Sequence, residues 1–177
     1  MGEKVLLHIC CAPCATEVVE NLRRKGYKVT GFFCNPNIYP EEEYALRLDN
    51  LYKLASYMDL PFLEGAYNTR DWHKEVQGLE SEPEGGERCK ICYRIRLDCT
   101  ARTAKNKGYK AFATTLTVSP YKSGKIINPI GEEVGERHKI KFLAEDFKKQ
   151  DGFRRSIILS RKYGLYRQSY CGCEFSL

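Results

Sequence analysis

No stretch of the sequence is an apolar run approaching the roughly 20 residues that a membrane span requires. The start, Met1-Gly2-Glu3-Lys4 leading into Val5-Leu6-Leu7, lacks the longer apolar core of a secretory signal. No membrane association and a cytoplasmic location are therefore expected. There is no internal repeat and no low-complexity tract, so one folded domain is expected over 1–177 rather than an array or a tail-bearing linker. Histidine is scarce. His8 falls in the alternation of a strand and reads as a packed side chain, and His73 and His138 lack partners at ligand spacing, so a histidine-based metal site is not expected. Glycine is missing where a nucleotide site would need it. The first strand-to-helix turn reads Cys10-Cys11-Ala12-Pro13-Cys14, without the glycines that let backbone amides approach a phosphate.

What the chain has in excess is cysteine. Nine in 177 residues is unusual for a compartment that keeps thiols reduced, and metal or redox chemistry explains them better than bracing disulfides. Seven fall in three tight groups: Cys10, Cys11 and Cys14; Cys89 and Cys92; Cys171 and Cys173. Cys34 and Cys99 stand apart and read as small buried side chains. The formal charge of +6 is concentrated as well, because residues 137 to 168 hold ten Lys or Arg against three acidic residues. Such a stripe suits a polyanion such as nucleic acid, with a solvated helix surface as the plain alternative.

The hydrophobic pattern alternates strands and helices. Strands are expected at 4–10, 29–34, 61–66 and 110–116, and helices at 15–25, 41–58, 70–80 and 88–107. This order implies an α/β fold: a mostly parallel sheet with flanking helices and right-handed crossovers. The part from about 130 shows no strand signal and is expected to be helical and basic, notably over 137–150 and 153–163, before a Cys-Gly-Cys tail over 166–177. In open α/β sheets ligands bind beyond the carboxyl ends of the strands, which is where Cys10-Cys11-Ala12-Pro13-Cys14 falls.

Cys89-Lys90-Ile91-Cys92 has the spacing that turns two thiols toward one metal centre, at a helix start whose dipole favours thiolate charge. Together Cys10, Cys11, Cys89 and Cys92 offer the four thiolates of a 4Fe-4S cluster. A four-cysteine zinc site is the plain alternative, although seven clustered thiols exceed what one structural zinc needs. The Cys171-Gly172-Cys173 pair suits electron exchange or metal capture, and Cys14 lies beside the same site. Tyr93, Arg94, Arg96, Tyr121 and Lys122 flank it and are candidates to stack on or pair with a nucleotide.

Five segments in order carry a resemblance: His8-Ile9-Cys10-Cys11-Ala12-Pro13-Cys14, Asn35-Pro36-Asn37-Ile38, Arg88-Cys89-x-x-Cys92-Tyr93-x-x-Arg96-Leu97, Thr114-Thr115-Leu116-x-x-Ser119-Pro120, and Ser169-Tyr170-Cys171-Gly172-Cys173. With these the chain resembles the QueH family of epoxyqueuosine reductases over nearly its whole length. The resemblance implies the ATP-pyrophosphatase-like (HUP) fold, with the nucleotide loop exchanged for the thiol turn. It implies a 4Fe-4S cluster on Cys10, Cys11, Cys89 and Cys92, and a catalytic role for Cys171 and Cys173, as a redox-active pair or as ligands of one additional iron. The substrate it implies is a tRNA carrying epoxyqueuosine at the wobble position. Removing an epoxide oxygen takes two electrons and two protons, whereas a cluster passes one electron at a time, so a second redox group or an iron held by some of Cys14, Cys171 and Cys173 is expected, together with an electron donor not named by the sequence. The rival readings are a cluster-dependent tRNA sulfur transferase, which should bind ATP, and a zinc-braced RNA-binding module without turnover.

Overall fold

The computed structural model of the chain describes residues 2–177. The centre is β1 (Lys4–His8), whose Val5, Leu6 and Leu7 are fully buried, as expected of a strand covered on both faces. It pairs in parallel with β2 (Lys28–Phe33) on one side and β4 (Ala111–Thr114) on the other. The short β3 (Phe62–Glu64) and β5 (Lys141–Phe142) add the edges, giving the order β3-β2-β1-β4-β5 with every pairing parallel.

The chain winds outward from β1 in one direction and later in the other, so β1 and β4 flank a topological switch point. Val5, Leu7 and Ile9 face one core, shared with Val18 and Leu22 of α1 (Ala12–Arg24) and Leu51 and Leu54 of α2 (Glu41–Met58). Leu6 faces the other, with Leu97 and Ala101 of α4 (Glu87–Asn106) and Ile127 and Val134 of α5 (Gly124–His138). The short α3 (Thr69–Glu75) packs on α4, and α6 (Gly152–Lys162) on α1.

The expected elements through residue 116 all appear, with ends displaced by a few residues. Helix α1 starts at Ala12 rather than 15, because Pro13 fits the first turn, where its missing N–H would have no partner. The C-terminal third agrees in part, since the helix expected over 153–163 forms as α6. The helix expected over 137–150 does not form: α5 ends at His138, Lys139 turns the chain at φ 54°, and residues 141–142 become a strand instead. Helix α5, part of the helical region expected from about 130, forms although it contains Pro129 and three glycines, which lower helix propensity. Packing explains one of them: a Cβ on Gly131 would meet the Phe142 ring at 2.3 Å, so glycine lets the helix lie close over β5.

Candidate active site

The β1–α1 turn places Cys10, Cys11 and Cys14 at the switch point, with their Sγ atoms all within 4.8 Å of one another. Cys11 is the N-cap of α1 and Cys14 lies in its first turn, so the triad sits at the positive end of the helix. Thr115, just beyond β4, fixes Cys10 from the other strand: its Oγ1 accepts from the Cys10 N–H at 3.2 Å and lies 3.3 Å from the Cys10 sulfur. Hydrogen bonding with the Cys11 and Cys14 thiols, helped by the charge of Lys122, holds the Cys10 thiol well below its ordinary pKa. The same bonds push Cys11 and Cys14 up. Three sulfurs this close, one of them favoured as the thiolate, form a donor set that a metal ion fits.

A second thiol group lies alongside. Cys89, Cys92, Cys171 and Cys173 line one narrow cavity with Arg96 and Lys122. Cys10, Cys14, Cys171, Arg96 and Lys122 line an adjoining cavity of about 360 Å³. Cys171 therefore borders both. Cys89 and Cys92 occupy the first two turns of α4, whose N–H groups supply the same kind of positive end. Burial pushes the Cys92 and Cys173 thiols up.

The tail carrying Cys171 and Cys173 is tied down from α2. Arg47, almost wholly buried, donates Nη1 to the Cys171 carbonyl and Nη2 to the Tyr170 carbonyl, both at 3.0 Å, while Nε pairs with Glu43 at 2.7 Å. The Tyr39 N–H donates to the Gly172 carbonyl at 2.8 Å. Gly172 has φ 114°, and a Cβ there would meet Ile38 at 3.0 Å, so this tight return needs glycine. Beyond it Phe175 stacks near Trp72, and Glu174 hydrogen-bonds to His73.

Arg96 is the main electrostatic feature of the site. It is 3% exposed, its Nε donates to the Cys92 carbonyl at 3.2 Å, and no carboxylate pairs with it among the described residues. Burial opposes the guanidinium charge, but Cys92 and Cys10, as thiolates, more than restore it and raise its pKa. A buried unpaired cation is expensive unless anionic sulfur compensates it, so Arg96 and the thiols fit an anionic metal–thiolate group between them.

All seven clustered cysteines thus reach one region, as a triad and a neighbouring quartet. Tyr121, 81% exposed, and Lys122 stand at its mouth. Other expectations shift. Tyr93 and Arg96 are buried, and Arg94 pairs with Glu133 of α5 at 3.0 Å. Three of the ten Lys or Arg of the basic stretch are engaged in ion pairs: Arg137 with Asp98, Lys148 with Asp146, and Arg155 with buried Glu17 at 2.8 Å. His8 is the packed side chain expected, held by Thr114 at 3.0 Å and Asn35 at 3.1 Å; burial lowers its pKa to about 4 and keeps it neutral. Arg47 acquires a function that no local pattern signalled, since it acts on a segment remote in sequence. No helix of the described residues is long and apolar enough to cross a membrane.

Among solved structures, the fold is similar to a predicted subunit of a tRNA methyltransferase from Methanocaldococcus jannaschii, with TM-score 0.61 and 13% identity over 88% of this chain and 74% of that one. It is also similar to the U34-tRNA thiolase of Methanococcus maripaludis with its [4Fe-4S] cluster, with TM-score 0.62 and 11% identity over 99% and 62%. At these identities the likeness concerns the fold. In sequence the chain is 40% identical to the epoxyqueuosine reductase QueH of Streptococcus pyogenes, over 97% of this chain and 69% of that protein. It is 37% identical to that of Thermotoga maritima, over 98% and 90%. The model of the family described as epoxyqueuosine reductase QueH matches residues 5–177, the thiol triad, the α4 pair and the latched tail included, and the chain belongs to that family.

Proposed function

We propose that this chain reduces epoxyqueuosine in tRNA to queuosine at the two adjoining thiol cavities. The observation that carries this is the meeting of seven thiols from three distant segments around the buried cation Arg96 at the sheet's switch point. Cys10, Cys11, Cys89 and Cys92 are assigned to a 4Fe-4S cluster, and Cys14, Cys171 and Cys173 to a second centre, either a dithiol or an additional iron. When bound, these groups would supply electrons and polarise the epoxide oxygen. Glu84 is the carboxylate that borders both cavities among the described residues, and is the oxygen ligand we assign if iron is present.

The chain's own residues meet the remaining demands. As a dithiol, Cys171 and Cys173 release two electrons and two protons when they close to a disulfide, which matches conversion of one epoxide to an alkene and one water. Lys122, bordering both cavities, is placed to donate a hydrogen bond to the epoxide oxygen as its charge develops. Exposed Tyr121 supplies a stacking face for a base that has left its loop, and Arg167 at the larger cavity pairs with phosphate. An external donor must then restore the reduced state. A sulfur transferase would need an ATP site, and the turn that would cradle phosphate carries thiols instead.

The test is the Cys171→Ser/Cys173→Ser variant, assayed anaerobically by mass spectrometry of digested tRNA with a chemical reductant. Visible absorption should persist while queuosine formation stops. Near-normal queuosine formation would remove the tail from catalysis, and loss of the absorption would make the tail a cluster ligand.

A further inference from the structure

Two cysteines lie outside the active-site group, and the fold brings them together. Cys34 follows the carboxyl end of β2, and Cys99 lies on α4 seven residues past Cys92, roughly 10 Å along the helix. Their Sγ atoms are 3.0 Å apart, with the Cys34 thiol donating to the Cys99 sulfur. A disulfide needs about 2.05 Å, so roughly 1 Å of side-chain movement would close the bond. Cys34 has little freedom to turn away. Its carbonyl accepts from His8 Nε2 at 3.2 Å, and Gly65 packs so closely that a Cβ there would meet the Cys34 Cβ at 2.8 Å.

The two thiols differ in the way that an attacking and a resolving cysteine differ. Cys99 is partly exposed on the wall of a cavity of about 530 Å³ that contains none of the seven active-site cysteines and is lined by both cations (Arg94, Arg102, Arg137) and carboxylates (Asp71, Glu75, Asp98). Cys34 is 4% exposed beneath it. Donation from Cys34, with the charge of Arg102, holds the Cys99 thiol below its ordinary pKa, while the same bond and burial push Cys34 up. The reachable sulfur thus carries the thiolate character and the enclosed one keeps the proton.

We propose that Cys34 and Cys99 form a second, independent redox site, which a hydroperoxide oxidises to a reversible disulfide. The Cys99 thiolate attacks the peroxide, breaking the O–O bond and becoming a sulfenic acid as the alkoxide or hydroxide fragment leaves and takes up a proton from solvent. The Cys34 sulfur then attacks the Cys99 sulfur. The S–S bond forms as the S–O bond breaks, and the oxygen departs as water with the Cys34 proton. Two electrons have passed from the two sulfurs to the peroxide, and exchange with an external dithiol reverses the change. The bond ties the end of β2 to the helix that presents Cys89 and Cys92, and uses none of the seven active-site thiols.

Anaerobically purified protein treated with equimolar tert-butyl hydroperoxide, quenched with N-ethylmaleimide and digested without reductant should yield a Cys34–Cys99 linked peptide. Dithiothreitol should abolish the link, and the visible absorption should remain. In Cys34→Ser, dimedone should trap Cys99 as its sulfenic acid. The proposal is overturned if both residues of the wild-type protein are found alkylated while the visible absorption bleaches, or if Cys99 is linked to an active-site cysteine. The wild-type map decides the matter even if the variant does not fold.

Discussion

Arg47 is the residue whose removal best separates the tail from the rest of the site. In Arg47→Met the apolar stem is kept while three bonds are lost: the ion pair to Glu43 and the donations to the Tyr170 and Cys171 carbonyls. Breaking a buried ion pair by removing one partner costs about 3–5 kcal/mol. Glu43 keeps the Tyr166 hydroxyl at 3.0 Å and is 11% exposed, so a value of about 3 kcal/mol, the low end, is expected. The Tyr39–Gly172 bond and the Phe175 stack remain, so the loss should appear as local opening of the tail rather than global unfolding. About 3 kcal/mol corresponds to a roughly 10²-fold rise in the open population. Hydrogen exchange of peptide 166–177 should accelerate by that factor, and maleimide should label Cys171 and Cys173 correspondingly faster, with β1 unchanged. Arg47→Lys should recover only part of the protection, since one ammonium cannot serve Glu43 and both carbonyls. Exchange of the tail in Arg47→Met within twofold of wild type would refute the latch.

Gly131→Ala should destabilise by about 1–3 kcal/mol despite the better helix propensity of alanine, because its Cβ meets the Phe142 ring at 2.3 Å. A thermal melt should fall by several degrees, and an unchanged or raised Tm would show that β5 yields freely. Binding of tRNA, followed by fluorescence anisotropy against salt, should weaken and lose about one unit of slope in Arg167→Ala. Arg155→Ala should leave that slope unchanged and lower stability instead, because its guanidinium is engaged by Glu17; the opposite ranking would place the RNA against α6.

The thiol turn was legible because strand, turn and helix are consecutive, and a buried run followed by cysteines and Pro13 admits one placement at a sheet's carboxyl edge. The α4 pair was legible for a similar local reason, a Cys-x-x-Cys at a helix start. Strand β5 was not, since two residues at a sheet edge carry no pattern of their own, and Gly131 is explained only once the Phe142 ring is seen to need the space it leaves. Nor does any spacing connect Cys34 to Cys99, or Arg47 to a tail 124 residues away. Those contacts exist only once β2, α2, α4 and the tail have assembled. Within the basic stretch, composition counts Arg155 and Arg137 as free charge while the fold pairs them with Glu17, Asp98 and Glu133.

The central claim is that the converging thiols hold an iron–sulfur centre, and metal analysis of the anaerobically purified chain tests it most directly. About four iron and four acid-labile sulfide per chain are expected, with broad visible absorption that Cys10→Ala abolishes and Cys34→Ala retains. Stoichiometric zinc without sulfide, persisting after anaerobic reconstitution with iron, would contradict it.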